Sequence, residues 1–160
     1  MLLGALASAI GFNVMHDGAH GSFSKKSWVN ELAGVSINFL GANVFMWKTK
    51  HNVVHHSFTN IDEVDDDMNA RPFLRLCPNQ KFHKIHKYQH KYFLFVYSLL
   101  YLYWIFVTDY KKYATKKVGI VPIQKMTVAD HFSFWGFKLL HIILFVAIPL
   151  YMVGFMPWLV

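Results

Sequence analysis

Cysteine is nearly absent from this 160-residue chain, Cys77 being the only one. A lone thiol excludes both a disulfide framework and a thiolate metal cluster. Charge is scarce as well, at 16% of residues, against about 25% in an average soluble domain. Acidic side chains number nine against sixteen basic ones, for a formal net charge of +7. No Arg-rich block or nucleic-acid motif accompanies that charge, so nucleic acid is not an expected partner. The N-terminus carries neither a basic n-region nor an obvious cleavage site and does not read as a signal peptide.

What the chain does have is apolar bulk: 54% hydrophobic residues and 18% aromatic. That balance predicts an all-α integral membrane protein. Every Lys and Arg falls between Lys25 and Lys138, and the apolar ends carry none. A cationic middle bounded by apolar segments points to the cytoplasmic face of a membrane, with membrane lipid as a contact. Residues 1–15 are too short alone to cross a bilayer core of about 30 Å. They read as the end of a truncated transmembrane helix. Residues 139–160 read as a transmembrane helix, with His141 at its start and Tyr151 and Trp158 suited to an aromatic belt at the far side. Residues 16–138 form the cytoplasmic or interfacial region between them, and the whole is expected to be one partial domain, 1–160.

Within that region, Gly18, Gly21 and Ser22 are expected to loosen the first helix, and Phe23 to Trp28 to form a polar turn. The apolar stretch from Glu31 to Trp47 holds Asn30, Asn38 and Asn43 at or beside it, which are costly in lipid. A segment that dips into the interface and returns is therefore preferred to a span. The acidic run Asp62, Glu63, Asp65, Asp66 and Asp67 reads as a solvated loop, since its spacing is not that of a calcium-binding EF-hand. Lys81 to Lys91 places His83, His86 and His90 on one helical stripe. The four lysines of that segment favour a surface or lipid-headgroup helix, with His90 the nearest to any active site. Tyr92 to Val107, flanked by cations on both sides, is expected to be monotopic.

The chemistry lies in two histidine clusters, His16-Asp17-Gly18-Ala19-His20 and His51-Asn52-Val53-Val54-His55-His56. Residues four apart share one helical face. His16 and His20 can thus face one centre, as can His51 and His55, while His56, rotated by about 100°, can reach a second. Imidazole suits iron, zinc, copper or nickel. Asp17 stands where a zinc protease HExxH motif has its Glu, and Gly18 would weaken the helix such a motif needs, so a zinc hydrolase is disfavoured. Five histidines exceed the needs of one four-coordinate zinc, and two metals fit better. For Asp17, accepting a ligand imidazole N–H and simple solvation at a helix end weigh equally.

With these clusters in view, the chain resembles the membrane fatty acid desaturases. The likeness rests on the two clusters, on Ser57-Phe58-Thr59-Asn60 leading to Asp65-Asp66-Asp67, on Tyr88-Gln89-His90, and on Trp104-Ile105-Phe106-Val107-Thr108-Asp109-Tyr110. The last two look like the branch acting on acyl-CoA or acyl-lipid chains, including the front-end enzymes. The resemblance implies transmembrane helices carrying a cytoplasmic di-iron domain with three histidine boxes. It implies two non-haem irons, O2 as oxidant, and ferredoxin or cytochrome b5 as electron donor. Carried over, His16, His20, His51, His55 and His56 become iron ligands, and the product is a cis double bond in an acyl chain. Iron is also what the chemistry asks for, since an unactivated methylene needs an oxidant built from O2 and zinc is redox-inert. Residues 92–107 could line an acyl tunnel, although lipid or core contact suits each of them individually better.

The third box, a His or Gln followed two residues later by a His pair, is absent, and neither His131 nor His141 can replace it. The chain alone is therefore expected to be inactive. A related di-iron hydroxylase or ketolase would use the same ligands. A histidine-rich metal-binding or transport protein is the remaining alternative, although transport favours polar ligands within spanning helices.

Overall fold

The computed structural model describes residues 2–159. Met1 and Val160, the outermost residues of the two terminal apolar runs, lie outside the described residues. The described residues are mostly helical, as expected. Helix α1 covers residues 2–19 without a break, passing through a π-helical stretch at Ile10–Met15. Helix α2 is Ser27–Phe39, and α3 covers residues 44–55, its second half, Thr49–His55, again π-helical. Helix α4 is Lys84–Thr115 and α5 is Val128–Val153. A two-stranded antiparallel hairpin, β1 Lys117–Val118 and β2 Val121–Pro122, lies between them, and α6 is Phe155–Leu159. Two compact units result, residues 46–124 in one and the described residues on either side in the other.

Helices α4 and α5 are long and apolar enough to cross a membrane, with mean hydropathies of 1.4 and 2.0 over their most apolar windows. The core helix of a soluble protein would be mostly buried, yet only 17% and 6% of these windows are. The expected monotopic segment at 92–107 is thus the middle of a continuous 32-residue helix of spanning length. Its flanking cations are simply further turns of that helix. Phe93, Leu94, Phe95, Leu99 and Leu102 are exposed, as a lipid-facing surface requires. Helix α5 begins eleven residues before the predicted boundary at Leu139 and ends at Gly154, whose φ of +79° breaks it. Trp158 does not prolong the helix, because its indole N–H donates to the Phe145 carbonyl at 2.8 Å from α6.

In the first unit α1 packs against α2 through small residues. Gly18 is helical and buried, and a Cβ there would lie 2.5 Å from Gly34 N and 2.8 Å from the Asn30 carbonyl oxygen. Gly18 therefore permits close approach of two helices, where the sequence suggested only a loosened turn. Gly21, with φ +74°, ends α1. Asn30 ties the following loop down by accepting from Ser24 N and donating to the Gly21 and Ser24 carbonyls. The 31–47 stretch is not one helix. It breaks at Gly41, whose φ is +92°. Asn38, fully buried, accepts from Val44 N at 2.7 Å and donates to Ser133 Oγ at 3.2 Å. The asparagines that looked costly in lipid are satisfied inside the protein.

Helix α5 closes the same corner. Lys138 is buried and donates from Nζ to the Gly41 carbonyl at 2.6 Å. The His141 ring donates from Nδ1 to the Phe39 carbonyl at 3.1 Å. Two side chains of an otherwise apolar helix thereby satisfy carbonyls at the C-terminal end of α2, where cationic and donor groups are favoured. His141 is a cap and has no part in a metal cluster.

In the second unit, Ala70, Leu74 and Val96 form a small core with Tyr92 and Leu100 packed on it. The irregular segment before α4 is held by amide side chains. Gln80 accepts from Leu76 N and donates to Asp62, and Gln89 accepts from and donates to the Arg75 backbone. His86, placed by its sequence on a surface helix, is buried. Its Nδ1 accepts from His83 N at 3.1 Å and its Nε2 donates to the Pro72 carbonyl at 2.8 Å. Both nitrogens are consumed structurally. His90 is exposed.

Candidate metal centre

The last turn of α1 carries His16 and His20, whose ring centroids lie 4.5 Å apart, edge to face. His16 Nδ1 is 3.1 Å from Asp17 Oδ1. A carboxylate only accepts, so Nδ1 carries the proton and Nε2 keeps the lone pair a metal needs. Of the two roles open to Asp17, the structure shows the hydrogen bond to the imidazole.

The second cluster departs from a plain α-helix. Its turns are π-helical, with the His56 N–H bonded to the His51 carbonyl five residues back. Single π-turns in helices are frequent at functional sites. The wider turn brings His56 round, its ring centroid 4.9 Å from that of His51 and 5.7 Å from that of His55. His51 and His55 stack at 5.1 Å, and Trp47 stacks on His51 at 4.5 Å. The spacing of an ideal α-helix lets His56 reach a second centre, and here its ring stays close to those of His51 and His55.

Carboxylates hold this group. Asp65, its side chain wholly buried, accepts from His55 Nδ1 at 3.0 Å and from the backbone N–H groups of Asn60 and Asp67. Asp67 accepts from His51 Nδ1 at 3.3 Å, reaches His55 Nδ1 at 3.4 Å, and pairs with Lys50. Two members of the acidic run, Asp65 and Asp67, thus clamp the histidines, while Glu63 stays exposed as a solvated loop residue would. Proximity of Asp residues to an HxxxHH cluster was visible in the sequence, and the habit of metal-bound histidines to donate to carboxylates was the signal that could have identified them. Lys50 gave no signal at all.

Burial would raise the Asp67 carboxyl, but Lys50 and the hydrogen bonds from Lys50 and His51 outweigh it and hold it below the usual carboxylate range. Asp66 is likewise held low, with Lys112 and then Lys50 overcoming its burial. Burial lowers His51, against the opposing pull of Asp67, and so favours the neutral imidazole. All three shifts have the same sign for stability. The unfolded chain binds more protons than the folded one as pH falls, so stability rises with pH. The His51 contribution falls away as pH drops below the ordinary imidazole value of 6.5, and those of Asp66 and Asp67 below the ordinary carboxyl value of 3.8. For metal-stripped protein in detergent, we expect a higher melting temperature at pH 7.5 than at pH 5.5, with His51→Gln flattening that difference. A flat or inverted profile in the unmodified protein would contradict this electrostatic picture.

The donor set fits iron. His51, His55 and Asp67 each offer an atom within 4.8 Å of the others'. Asp67 is already committed to Lys50 and two imidazoles, so its oxygens orient the rings through Nδ1. Imidazole donors suit iron as they suit zinc, copper or nickel, so iron is one of the metals this set can hold. His16 and His20 belong to one unit and His51, His55 and His56 to the other. His131 lines an open apolar groove with Val128, Phe132, Trp135 and Gly136.

Helices of membrane-spanning length and two histidine clusters backed by carboxylates define a class of helical proteins able to hold metal beside a lipid surface. The chain belongs to the fatty acid desaturase family, whose profile matches residues 1–160. It is 34% identical over 157 residues to the sn-1 linoleoyl-lipid 6-desaturase of Arthrospira platensis, covering 98% of this chain and 42% of that protein. It is 36% identical over 149 residues to the acyl-lipid (8-3)-desaturase of Physcomitrium patens, covering 92% of this chain and 31% of that one. An acyl-lipid (7-3)-desaturase of Rebecca salina is 32% identical over 157 residues, covering 95% and 34%. The chain therefore spans less than half the length of these relatives. No solved structure matches it.

Proposed function

We propose that this chain is the part of a membrane acyl-lipid desaturase that bears its first two histidine clusters. The full-length protein introduces a cis double bond into an acyl chain, consuming O2, two electrons and two protons and releasing two waters. His16, His20, His51, His55 and His56 would hold two non-haem irons on the cytoplasmic side. Iron, when bound, supplies activation of O2 strong enough to oxidise an unactivated methylene.

The chain's own groups prepare that site. Asp65 and Asp67 fix the tautomers of His55 and His51 and present Nε2, and Asp17 does so for His16. Lys50 keeps Asp67 ionised and in place. The carboxylate-backed histidine pair on α3 is the observation that carries this reading. An acyl-lipid substrate is preferred to acyl-CoA because the relatives' names specify acyl lipids. Ferredoxin or cytochrome b5 would supply the electrons.

The test is product analysis. The full-length protein, expressed in a host lacking such desaturases, should convert fed acyl lipids into products short of two hydrogens. Products that gain an oxygen would move the assignment to a hydroxylase or ketolase. Metal uptake without any lipid product would favour the transport alternative.

A further inference from the structure

We propose that Lys112, near the end of α4, is a positioning residue for the second histidine cluster, acting through Asp66. The inference rests on the metal-binding reading above. Lys112 is buried, and its Nζ lies 2.9 Å from Asp66 Oδ2. Asp66 opens a short 3-10 turn, Asp66–Met68, capped by Asp65, whose carboxylate accepts from the Asp67 N–H at 3.0 Å. Asp65 and Asp67, on either side of Asp66, are the residues that accept from His55 and His51. A shift of this turn therefore displaces both carboxylates at once.

None of the turn's three residues is buried, so it is held by its partners: the Asp65 cap, Lys50 on Asp67, Gln80 Nε2 donating to the Met68 carbonyl at 3.2 Å, and, from α4, Lys112 on Asp66. The same end of that helix makes a second, weaker tie. Trp104 donates from its indole N–H to the fully buried Asp109 at 3.0 Å, and Lys50 sits 6.0 Å over the Trp104 ring while pairing with Asp67. The Lys50 and Lys112 cations match the Asp66 and Asp67 anions, one on each. Losing Lys112 leaves Asp66 without its cation in a partly buried place. The turn then gains by rotating Asp66 towards water, carrying Asp65 and Asp67 away from the imidazoles. Partners that orient metal-bound histidines typically change metal affinity about 10–100-fold, and Lys112 governs two of them.

The experiment is a double-mutant cycle in the full-length protein with Lys112→Met, Asp66→Asn and the pair together. The probe is Co(II), which reports its ligand field in the visible spectrum, with affinity measured by chelator competition. We expect each single variant to weaken Co(II) binding about tenfold or more, with altered visible bands and a near-native melting curve. The double variant should be no weaker than either single, because the two residues act as one device. Unchanged affinity in a folded single variant, or losses that multiply in the double, would overturn the proposal. If Lys112→Met does not fold, Asp66→Asn alone decides, and unchanged affinity there overturns it equally. Should the unmodified protein bind no Co(II), the metal-binding reading itself fails, a result distinct from equal binding in all four proteins.

Discussion

If the proposed function holds, replacing His55 by alanine is expected to abolish product formation by the full-length protein and to strip metal from it. His55 is engaged from two sides: its Nδ1 donates to a wholly buried carboxylate, and its ring stacks on His51 and meets His56 edge to face. Alanine removes the proposed metal ligand and also leaves the buried Asp65 carboxylate with one hydrogen-bond donor fewer, which typically costs about 1–3 kcal/mol. The remaining backbone donors, from Asn60 and Asp67, offset part of that cost. Asp65→Asn separates the two effects. It keeps all five histidines, removes the negative charge, and turns one of the two oxygens that accept from His55 and from the Asn60 and Asp67 N–H groups into a donor. Metal affinity should then fall about 10–100-fold, with turnover per bound metal reduced less. Metal content by elemental analysis and product by mass spectrometry read the two quantities independently. Full activity in His55→Ala would remove this residue from the site.

Substituting Gly18 by valine prevents the first unit from folding. The atoms that a Cβ would strike at 2.5 and 2.8 Å are backbone, Gly34 N and the Asn30 carbonyl oxygen, with the Ala33 Cβ at 2.6 Å. Backbone cannot yield as a flexible side chain does, and overpacking alone costs about 1–3 kcal/mol or more. The two helices must separate, and the last turn of α1 carries His16 and His20 with it. Monodisperse yield in detergent should collapse for Gly18→Val and fall sharply for Gly18→Ala. The control is Gly136, also helical, where a Cβ meets nothing within 4 Å. Gly136→Ala should be neutral or stabilising, by up to about 1 kcal/mol from helix propensity. Equal yields for Gly18→Val and Gly136→Ala would show that α1 and α2 do not pack this way.

The histidine spacing was the most legible part of this chain, because a ligand set must repeat at the period of the helix that bears it. Helicity and the apolar helix near the C-terminus followed from composition for the same reason: an uncovered helix in lipid has no alternative to being apolar. The rest was hidden by facts a local pattern does not carry. A π-turn changes where His56 points without changing a single residue, so a period of 3.6 misplaces it. The acidic run looks solvated from its charges and becomes a clamp only when Lys50 and Lys112 arrive from distant segments. Gly18 reads as a helix breaker until the neighbouring helix is known to press on it. The lysines around Tyr92–Val107 argued against spanning, and only the continuity of α4 from Lys84 to Thr115 showed that some of them extend the helix. His86, read as part of a surface helix, and His141, read as interfacial, both bond backbone carbonyls instead.

The central claim is that His16, His20, His51, His55 and His56 hold iron. The most direct measurement is iron content together with X-ray absorption at the iron edge on the purified full-length protein. Two irons per chain with an imidazole-dominated first coordination sphere, reduced in His51→Ala and His55→Ala proteins of native fold, is the predicted result. Stoichiometric zinc in place of iron, or an iron content and spectrum that neither substitution alters, would contradict it.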